Sequence, residues 1–131
     1  MSDKESTSTP QVVECITPIL SVRNLAASVR YYVDVLGFKV DWGEGDGSDM
    51  ASVSRDGAAI MLCQGEQGHP GTWVWIGVDD IGPLFGQYSA KGVTFRQLPA
   101  NRPWAYEMQV EDPDGHVLRF GSEPKARLPF A

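Results

Sequence analysis

The chain has 131 residues, and its 42% hydrophobic and 21% charged residues are ordinary proportions for a soluble globular domain. The formal net charge of −6 and the absence of any run of Lys or Arg argue against nucleic acid or an anionic membrane as a partner. No apolar run approaches the ~18 residues of a membrane span. The polar segment 1–10 lacks the apolar stretch of a secretory signal, so we expect a disordered tail over residues 1–12 and a cytoplasmic protein.

The first half of the chain alternates between extended and helical patterns. Asn24 is a good N-cap residue before an apolar stripe at helical spacing, and Gly37 stands where a helix ends and an extended run begins. Cys15 and Cys63 fall in apolar, strand-like segments, which favours buried thiols in a reducing cytoplasm. The predicted elements are strands over 15–22, 38–43, 49–54 and 58–63 and a helix over 25–36.

The second half repeats this order, with Asp80 as the N-cap residue and Gly92 at the end of the helix. Each half therefore reads β-α-β-β-β, and the pattern predicts an α+β fold of two modules in tandem. We expect modules of about 13–66 and 71–124 within one domain over 13–124, and a C-terminal tail over 125–131. The predicted elements of this half are strands over 73–78, 93–98, 104–110 and 116–120 and a helix over 80–91.

A tight turn near the C-terminus carries the most specific motif. Asp112–Gly115 has the Asp-Pro-Asp-Gly chemistry of a turn, and in the strand that follows Val117 and Arg119 share one face. Together with the stretch SVRNLAASVRYYVDVLGFKV, this segment resembles the vicinal-oxygen-chelate superfamily, which includes glyoxalase I, extradiol dioxygenases and bleomycin-resistance proteins. The resemblance implies a curved, mixed, cup-shaped sheet with helices on the outside, and it implies a homodimer.

The resemblance also implies where a metal would be held. In the superfamily's metalloenzymes four ligands line the cup, and the matching positions here are Thr17, Met61, Trp73 and Arg119. None of these side chains is one that Zn²⁺, Fe²⁺, Mn²⁺ or Ni²⁺ prefers, and a guanidinium has no lone pair to donate. We therefore expect no metal and no other cofactor, and the sequence leans away from an enzyme without excluding one.

Two alternatives stay open at this point. A metal site made from His69 and His116 with Glu107 or Glu111 is geometrically conceivable. Glu107 lies within a strand and could act as a general base if buried, although a solvent-facing glutamate is the commoner arrangement. The sequence has no nucleophile motif of a hydrolase and no phosphate-binding glycine loop.

Aromatic residues and arginines cluster on the elements that build the expected cup. Trp73 and Trp75 share one strand face, and the same alternation places Trp104 and Tyr106 together. The segment Asn101–Trp104 resembles a loop that borders the cleft in bleomycin-resistance-like members. The candidate ligand-binding residues are Phe38, Trp42, Trp73, Trp75, Arg102, Trp104, Tyr106 and Arg119.

These residues favour a metal-free binding protein of the glyoxalase/bleomycin-resistance type. It would sequester a small aromatic or amphipathic molecule, antibiotic sequestration being one version. The alternatives are a superfamily enzyme (lyase, isomerase or dioxygenase) and a structural module whose cup is closed by side chains. Arg119 would repel a cation unless it is paired, with Glu107 or Asp49, and it could equally hold a carboxylate or phosphate ligand.

Overall fold

The computed structural model describes residues 11–43, 45 and 47–131, and these form the two β-α-β-β-β modules of an α+β fold. The first module consists of β1 (Ile19–Ser21), α1 (Leu25–Arg30), a π-helical turn (Tyr31–Val35), β2 (Lys39–Trp42), β3 (Met50–Arg55) and β4 (Ala58–Cys63). The second consists of β5 (Trp73–Gly77), α2 (Ile81–Ala90), β6 (Thr94–Asn101), β7 (Tyr106–Glu111) and β8 (Val117–Ser122).

Each module forms its own four-stranded mixed sheet. The strand orders are β1-β4-β3-β2 in the first sheet and β5-β8-β7-β6 in the second. In both, the first strand runs parallel to the last, and the other pairs are antiparallel. The parallel register pairs Ile19 with Met61 and Trp75 with Arg119, so these two pairs occupy matching places in the repeat.

The helix ends follow the predicted chemistry. The Asn24 side chain accepts a hydrogen bond from the Ala27 N–H, and the Asp80 side chain accepts one from the Gly82 N–H, both at 2.9 Å. Gly37 and Gly92 have φ values of 83° and 74°, the left-handed region that glycine enters without strain. These four assignments are confirmed.

The first strand is shorter than the predicted 15–22. Pairing with β4 covers only Ile19–Ser21, and the Pro18 carbonyl accepts the preceding bond from the Met61 N–H at 2.9 Å. Proline has no N–H to continue the ladder, which accounts for the end of the strand at this point. Cys15 is consequently exposed, so the expectation of a buried thiol is wrong for Cys15 and right for Cys63.

The two modules share one core. Apolar residues of both helices pack against the inner faces of both sheets in a single cluster that includes Tyr32 and Tyr88. The Leu36 carbonyl accepts hydrogen bonds from the Tyr88 hydroxyl at 2.7 Å and from Arg55 Nη1 at 2.8 Å. Burial raises the pKa of Tyr88 to about 12, so its hydroxyl keeps the proton that it donates.

The turn that carries the sequence motif joins the modules. His116 is fully buried, and its Nδ1 accepts a hydrogen bond from the Thr72 N–H at 3.0 Å. The proton is therefore on Nε2, which lies 2.6 Å from the Ser21 carbonyl oxygen in the first sheet. The Tyr32 hydroxyl donates to Asp112 at 2.8 Å, and burial raises the pKa of that carboxyl above its ordinary value despite this bond.

The ends of the chain differ from each other. Most of the expected disordered tail over residues 1–12 lies outside the described residues. Residues 125–131 are tied to the end of β6, because the Asn101 amide donates to the Lys125 and Leu128 carbonyls at 2.9 Å and the Ala131 N–H donates to the Asn101 carbonyl at 2.7 Å. None of the helices in the described part of the chain is long and apolar enough to cross a membrane.

Candidate functional site

One face of the second sheet is left uncovered by the helices. Alternation along the strands turns residues such as Val74, Leu118 and Phe120 toward α2 and the core. The other side of the sheet is referred to here as the open face. It carries Trp73, Trp75, Gln97, Glu107, Gln109 and Arg119.

Trp75 lies against its neighbour on β8. The guanidinium carbon of Arg119 is 5.1 Å from the centroid of the Trp75 ring, a cation–π distance. The same indole covers Gly121, where a Cβ atom would meet Trp75 Cη2 at 2.2 Å. The absence of a side chain at Gly121 therefore allows the indole to lie on the sheet. Trp75 is nonetheless 50% exposed, so its other side is available for stacking.

Arg119 is held by a buried carboxylate. Its Nη2 donates to Glu107 Oε1 at 2.9 Å, and Trp104 Nε1 donates to the same oxygen at 3.2 Å. Glu107 is only 3% exposed, so the commoner solvent-facing arrangement is wrong for this residue. Of the two partners that were open for Arg119, Glu107 is the one that the structure brings to it.

Arg96 reaches across the open face. It belongs to β6 at one edge of the sheet, whereas Trp73 belongs to β5 at the other edge. The guanidinium carbon of Arg96 is 5.2 Å from the centroid of the Trp73 ring. The backbones of β5 and β6 are separated by three strand spacings, about 14 Å. The side chains of Arg96 and Trp73 therefore meet above the two strands that lie between them. Nothing in the sequence around Arg96 signals this contact.

A polar group lies between these two stacks. Gln97 Oε1 accepts from Gln109 Nε2 at 3.4 Å and from Arg102 Nη2 at 3.5 Å. Arg102 Nη1 also donates to a main-chain oxygen of Ala131 at 3.1 Å, which connects residues 125–131 to the site. Within this site, three buried donors find no acceptor among the described residues: Gln97 Nε2, Arg102 Nε and Arg119 Nε.

Three of the candidate ligand-binding residues lie elsewhere. Phe38 is buried in the core, where its ring meets Tyr32 edge-on at 5.6 Å, so it does not face a ligand. Tyr106 also packs against the core, because strand alternation turns it to the helix side of β7. Trp42 is 47% exposed on β2, at the outer edge of the first sheet, and is opposite Ser52.

The first sheet has a different polar group at the equivalent place. Asp41 accepts hydrogen bonds from the hydroxyls of Ser52 at 3.0 Å and Ser54 at 2.7 Å. Met61 is partly buried beside Ile19. This sheet has no Trp–Arg stack among the described residues, so the aromatic and cationic groups concentrate in the second module.

The donor set at the expected metal positions does not fit a metal. The strand neighbours of Met61 and Arg119 are Ile19 and Trp75, not Thr17 and Trp73, and none of these side chains is a usual ligand. No group of three His, Cys, Asp or Glu that could hold a metal occurs among the described residues. Both ring nitrogens of His116 already have hydrogen-bond partners, the Thr72 N–H and the Ser21 carbonyl. His116 is therefore not free to bind a metal together with His69.

A sequence profile of the glyoxalase/bleomycin resistance protein/dioxygenase superfamily matches residues 12–120. The chain belongs to this superfamily. The match covers both modules, from the segment before β1 to Phe120 in β8. No curated protein is significantly similar to the chain.

Several solved structures share the fold. A bleomycin-binding protein from Streptomyces verticillus, complexed with copper(II)-bleomycin, is 25% identical, with 87% of this chain and 100% of that one covered and a TM-score of 0.69. TioX from Micromonospora sp. ML1 is 24% identical, with coverages of 82% and 97% and a TM-score of 0.74. TnmS3, an antibiotic binding protein from Streptomyces sp. CB03234, is 20% identical, with coverages of 88% and 100% and a TM-score of 0.75.

Proposed function

We propose that this superfamily member binds a small planar aromatic molecule on the open face of the second sheet, without metal chemistry. The observation that carries the proposal is a set of three exposed indoles: Trp73 and Trp75 on the open face, and Trp104 in the loop before β7, which donates to Glu107. They are 50%, 50% and 64% exposed, whereas a large apolar side chain with only a structural role is normally buried. Exposed aromatic rings above a few fixed polar groups are typical of ligand sites.

The relatives support sequestration as the biological role. The Streptomyces verticillus protein is a bleomycin-binding protein, and TnmS3 is an antibiotic binding protein. Antibiotic sequestration in the cytoplasm is therefore the version of the proposal that we favour. Both cysteines are free thiols, which is consistent with a reducing compartment.

The exposed sheet edges favour assembly of two copies of the chain. The strands β1 and β5 are edge strands, and each presents unpaired backbone groups on one side. Val12, Val13 and Ile16 just before β1 are all more than 75% exposed. We therefore propose a homodimer in which modules of the two copies meet along these edges. We also propose that the folded domain spans residues 13–124. Sedimentation equilibrium tests this part, and a monomer at all concentrations would contradict it.

An enzyme with Glu107 as general base is the weaker alternative. A base needs a free lone pair directed at the proton it removes. Glu107 Oε1 is already shared between Arg119 and Trp104. This arrangement suits a positioning role for Glu107 under Arg119 better than proton transfer.

Two alanine variants, one on each side of the second sheet, test the binding proposal. Trp73→Ala removes an exposed indole, so we expect at least tenfold weaker binding of planar aromatic compounds by calorimetry and little change in urea unfolding, since base or ring stacking contributes about 1–3 kcal/mol. Phe85→Ala is the matched control, because Phe85 packs on Phe95 at the helix side of the same sheet. It should lower stability and leave affinity unchanged.

The opposite pattern would support a purely structural role. If Trp73→Ala and Trp104→Ala lower stability by several kcal/mol and no planar compound binds the unmodified protein, then the indoles only fill space. Elemental analysis of protein purified without chelator, and after incubation with Zn²⁺, Ni²⁺, Mn²⁺ and Fe²⁺, tests the metal-free part. A tightly bound metal at one equivalent would contradict it.

A further inference from the structure

Three arginines gather at the open face although the chain as a whole is acidic. The chain has a net charge of −6, yet this face and its rim carry Arg96, Arg102 and Arg119. The acidic groups on the same side of β7 are Glu107 and Glu111. Glu107 is already paired with Arg119 at 2.9 Å, so its charge is compensated within the site. Among the described residues, Arg96 and Arg102 have no Asp or Glu side chain within ion-pair distance.

The site also contains more donors than acceptors. Within the described residues, Gln97 Nε2, Arg102 Nε and Arg119 Nε are buried and have no hydrogen-bond acceptor. The one amide oxygen among them, Gln97 Oε1, already accepts from both Gln109 and Arg102. Buried polar groups are normally paired, and a buried donor without an acceptor costs free energy until one arrives.

We propose that the ligand of this face is an aromatic acid, a planar ring system with a carboxylate or a comparable anionic oxygen group. This inference rests on the proposed aromatic binding site and specifies what the site selects. The ring stacks on the exposed sides of the Trp73 and Trp75 indoles. The anionic group accepts hydrogen bonds from the guanidinium groups and Gln97, a charge-assisted arrangement that arginine forms well.

The Arg96–Trp73 stack covers part of the open face. Arg96 is exposed and contacts Trp73 only through its stack in the described part of the chain, and Trp73 is half exposed. An acid that enters between them gives Arg96 an anionic partner in place of an exposed cation–π contact. A cationic ligand would instead meet the like charge of Arg96 and Arg102, and the buried carboxylate of Glu107 is not free to compensate for it.

Matched ring systems that differ in one group test the selectivity. Isothermal titration calorimetry at pH 7.5 compares 2-naphthoate, neutral 2-naphthamide and cationic 2-naphthylmethylammonium, together with the anthracene homologues of all three. We expect the acids to bind at least tenfold more tightly than the amides, and the cations more weakly than the amides, as charge-assisted hydrogen bonds allow. The preference should shrink with increasing salt.

Two arginine variants locate the effect. Arg96→Gln should reduce the acid-to-amide ratio about fivefold or more while amide binding is retained, and Arg96 is exposed, so the variant should fold normally. Arg30→Gln removes the same charge from the exposed end of α1 and should leave the ratio unchanged.

Each other outcome is decisive. Equal binding of acids and amides would overturn this inference and leave the aromatic binding site standing. Tighter binding of the cationic compounds than of the acids would also overturn the inference. Failure of all six compounds to bind would overturn both the inference and the proposed function.

Discussion

Gly121→Ala is the sharpest perturbation that the site offers. The added Cβ would lie 2.2 Å from Trp75 Cη2 and 2.5 Å from Cζ2, whereas carbon atoms in contact need about 3.5–4 Å. The indole must therefore move by more than about 1 Å away from the sheet. Because Trp75 is half exposed, the ring can move without opening the core. We expect a loss of about 1 kcal/mol in the free energy of unfolding, from the lost contact area of the ring.

The effect on the site should be larger than the effect on stability. Displacing the indole separates it from Arg119, whose guanidinium carbon is 5.1 Å from the ring centroid. Affinity for the tightest-binding naphthyl compound should fall at least tenfold by calorimetry, and the near-ultraviolet circular dichroism of the tryptophans should change. Urea unfolding of the same samples measures the stability term separately.

Gly86→Ala is the matched glycine control. Gly86 lies inside α2, and a Cβ there meets no other atom within 4 Å. Alanine should therefore stabilise the protein by about 0.5–1 kcal/mol and leave binding unchanged. If Gly121→Ala bound the ligand as tightly as the unmodified protein and left the dichroism unchanged, the indole could not rest on Gly121, and the stacking argument for the open face would fail.

Three further predictions concern buried polar groups. Arg119→Met should lower the free energy of unfolding by about 3 kcal/mol in urea titrations, because the Glu107 carboxylate is left buried, and Glu107→Gln added to it should recover part of that loss. His116→Ala should cost about 2–4 kcal/mol, since it removes the bonds to Thr72 and Ser21 that join the modules. The pKa of Asp112 is raised above 3.8 in the folded state, so the folded protein binds the proton more tightly and stability due to this group falls as pH rises through the window just above 3.8. Asp112→Asn should abolish that pH dependence, and an unchanged slope between pH 4 and 6 would contradict the assignment.

The ends of the helices could be predicted from the sequence because hydrogen bonds between residues close together in the chain determine them. Asn24 and Asp80 accept hydrogen bonds from N–H groups two or three residues ahead, and Gly37 and Gly92 adopt positive φ for the same local reason. The repeat of these signals also predicted two modules. What failed was the extent of β1, because pairing depends on a distant strand and stops at Pro18.

The candidate site was predictable only in part. Strand alternation alone places Trp73 and Trp75 on one face, whereas Arg119 joins them only through the parallel pairing of β5 with β8. The burial of Glu107 depends on Arg119, which lies twelve positions further along the chain, and on the indole of Trp104. Arg96 was missed altogether, since its contact with Trp73 spans the whole width of the sheet.

Arg119 links the family resemblance to the proposed chemistry. In the superfamily's metalloenzymes, the position that Arg119 resembles is held by a glutamate that binds the metal ion. The metal ion would there lie between this carboxylate and the bound substrate. Here the cation is part of the chain: the guanidinium is held by the Glu107 carboxylate at 2.9 Å, and its Nε has no acceptor in the described residues. A guanidinium binds anionic oxygen with directional hydrogen bonds but does not polarise it as a Lewis acid does. Under the proposed function, Arg119 would attract an oxygen-bearing ligand without supplying the Lewis acid of the metalloenzymes, and this suits binding without transformation.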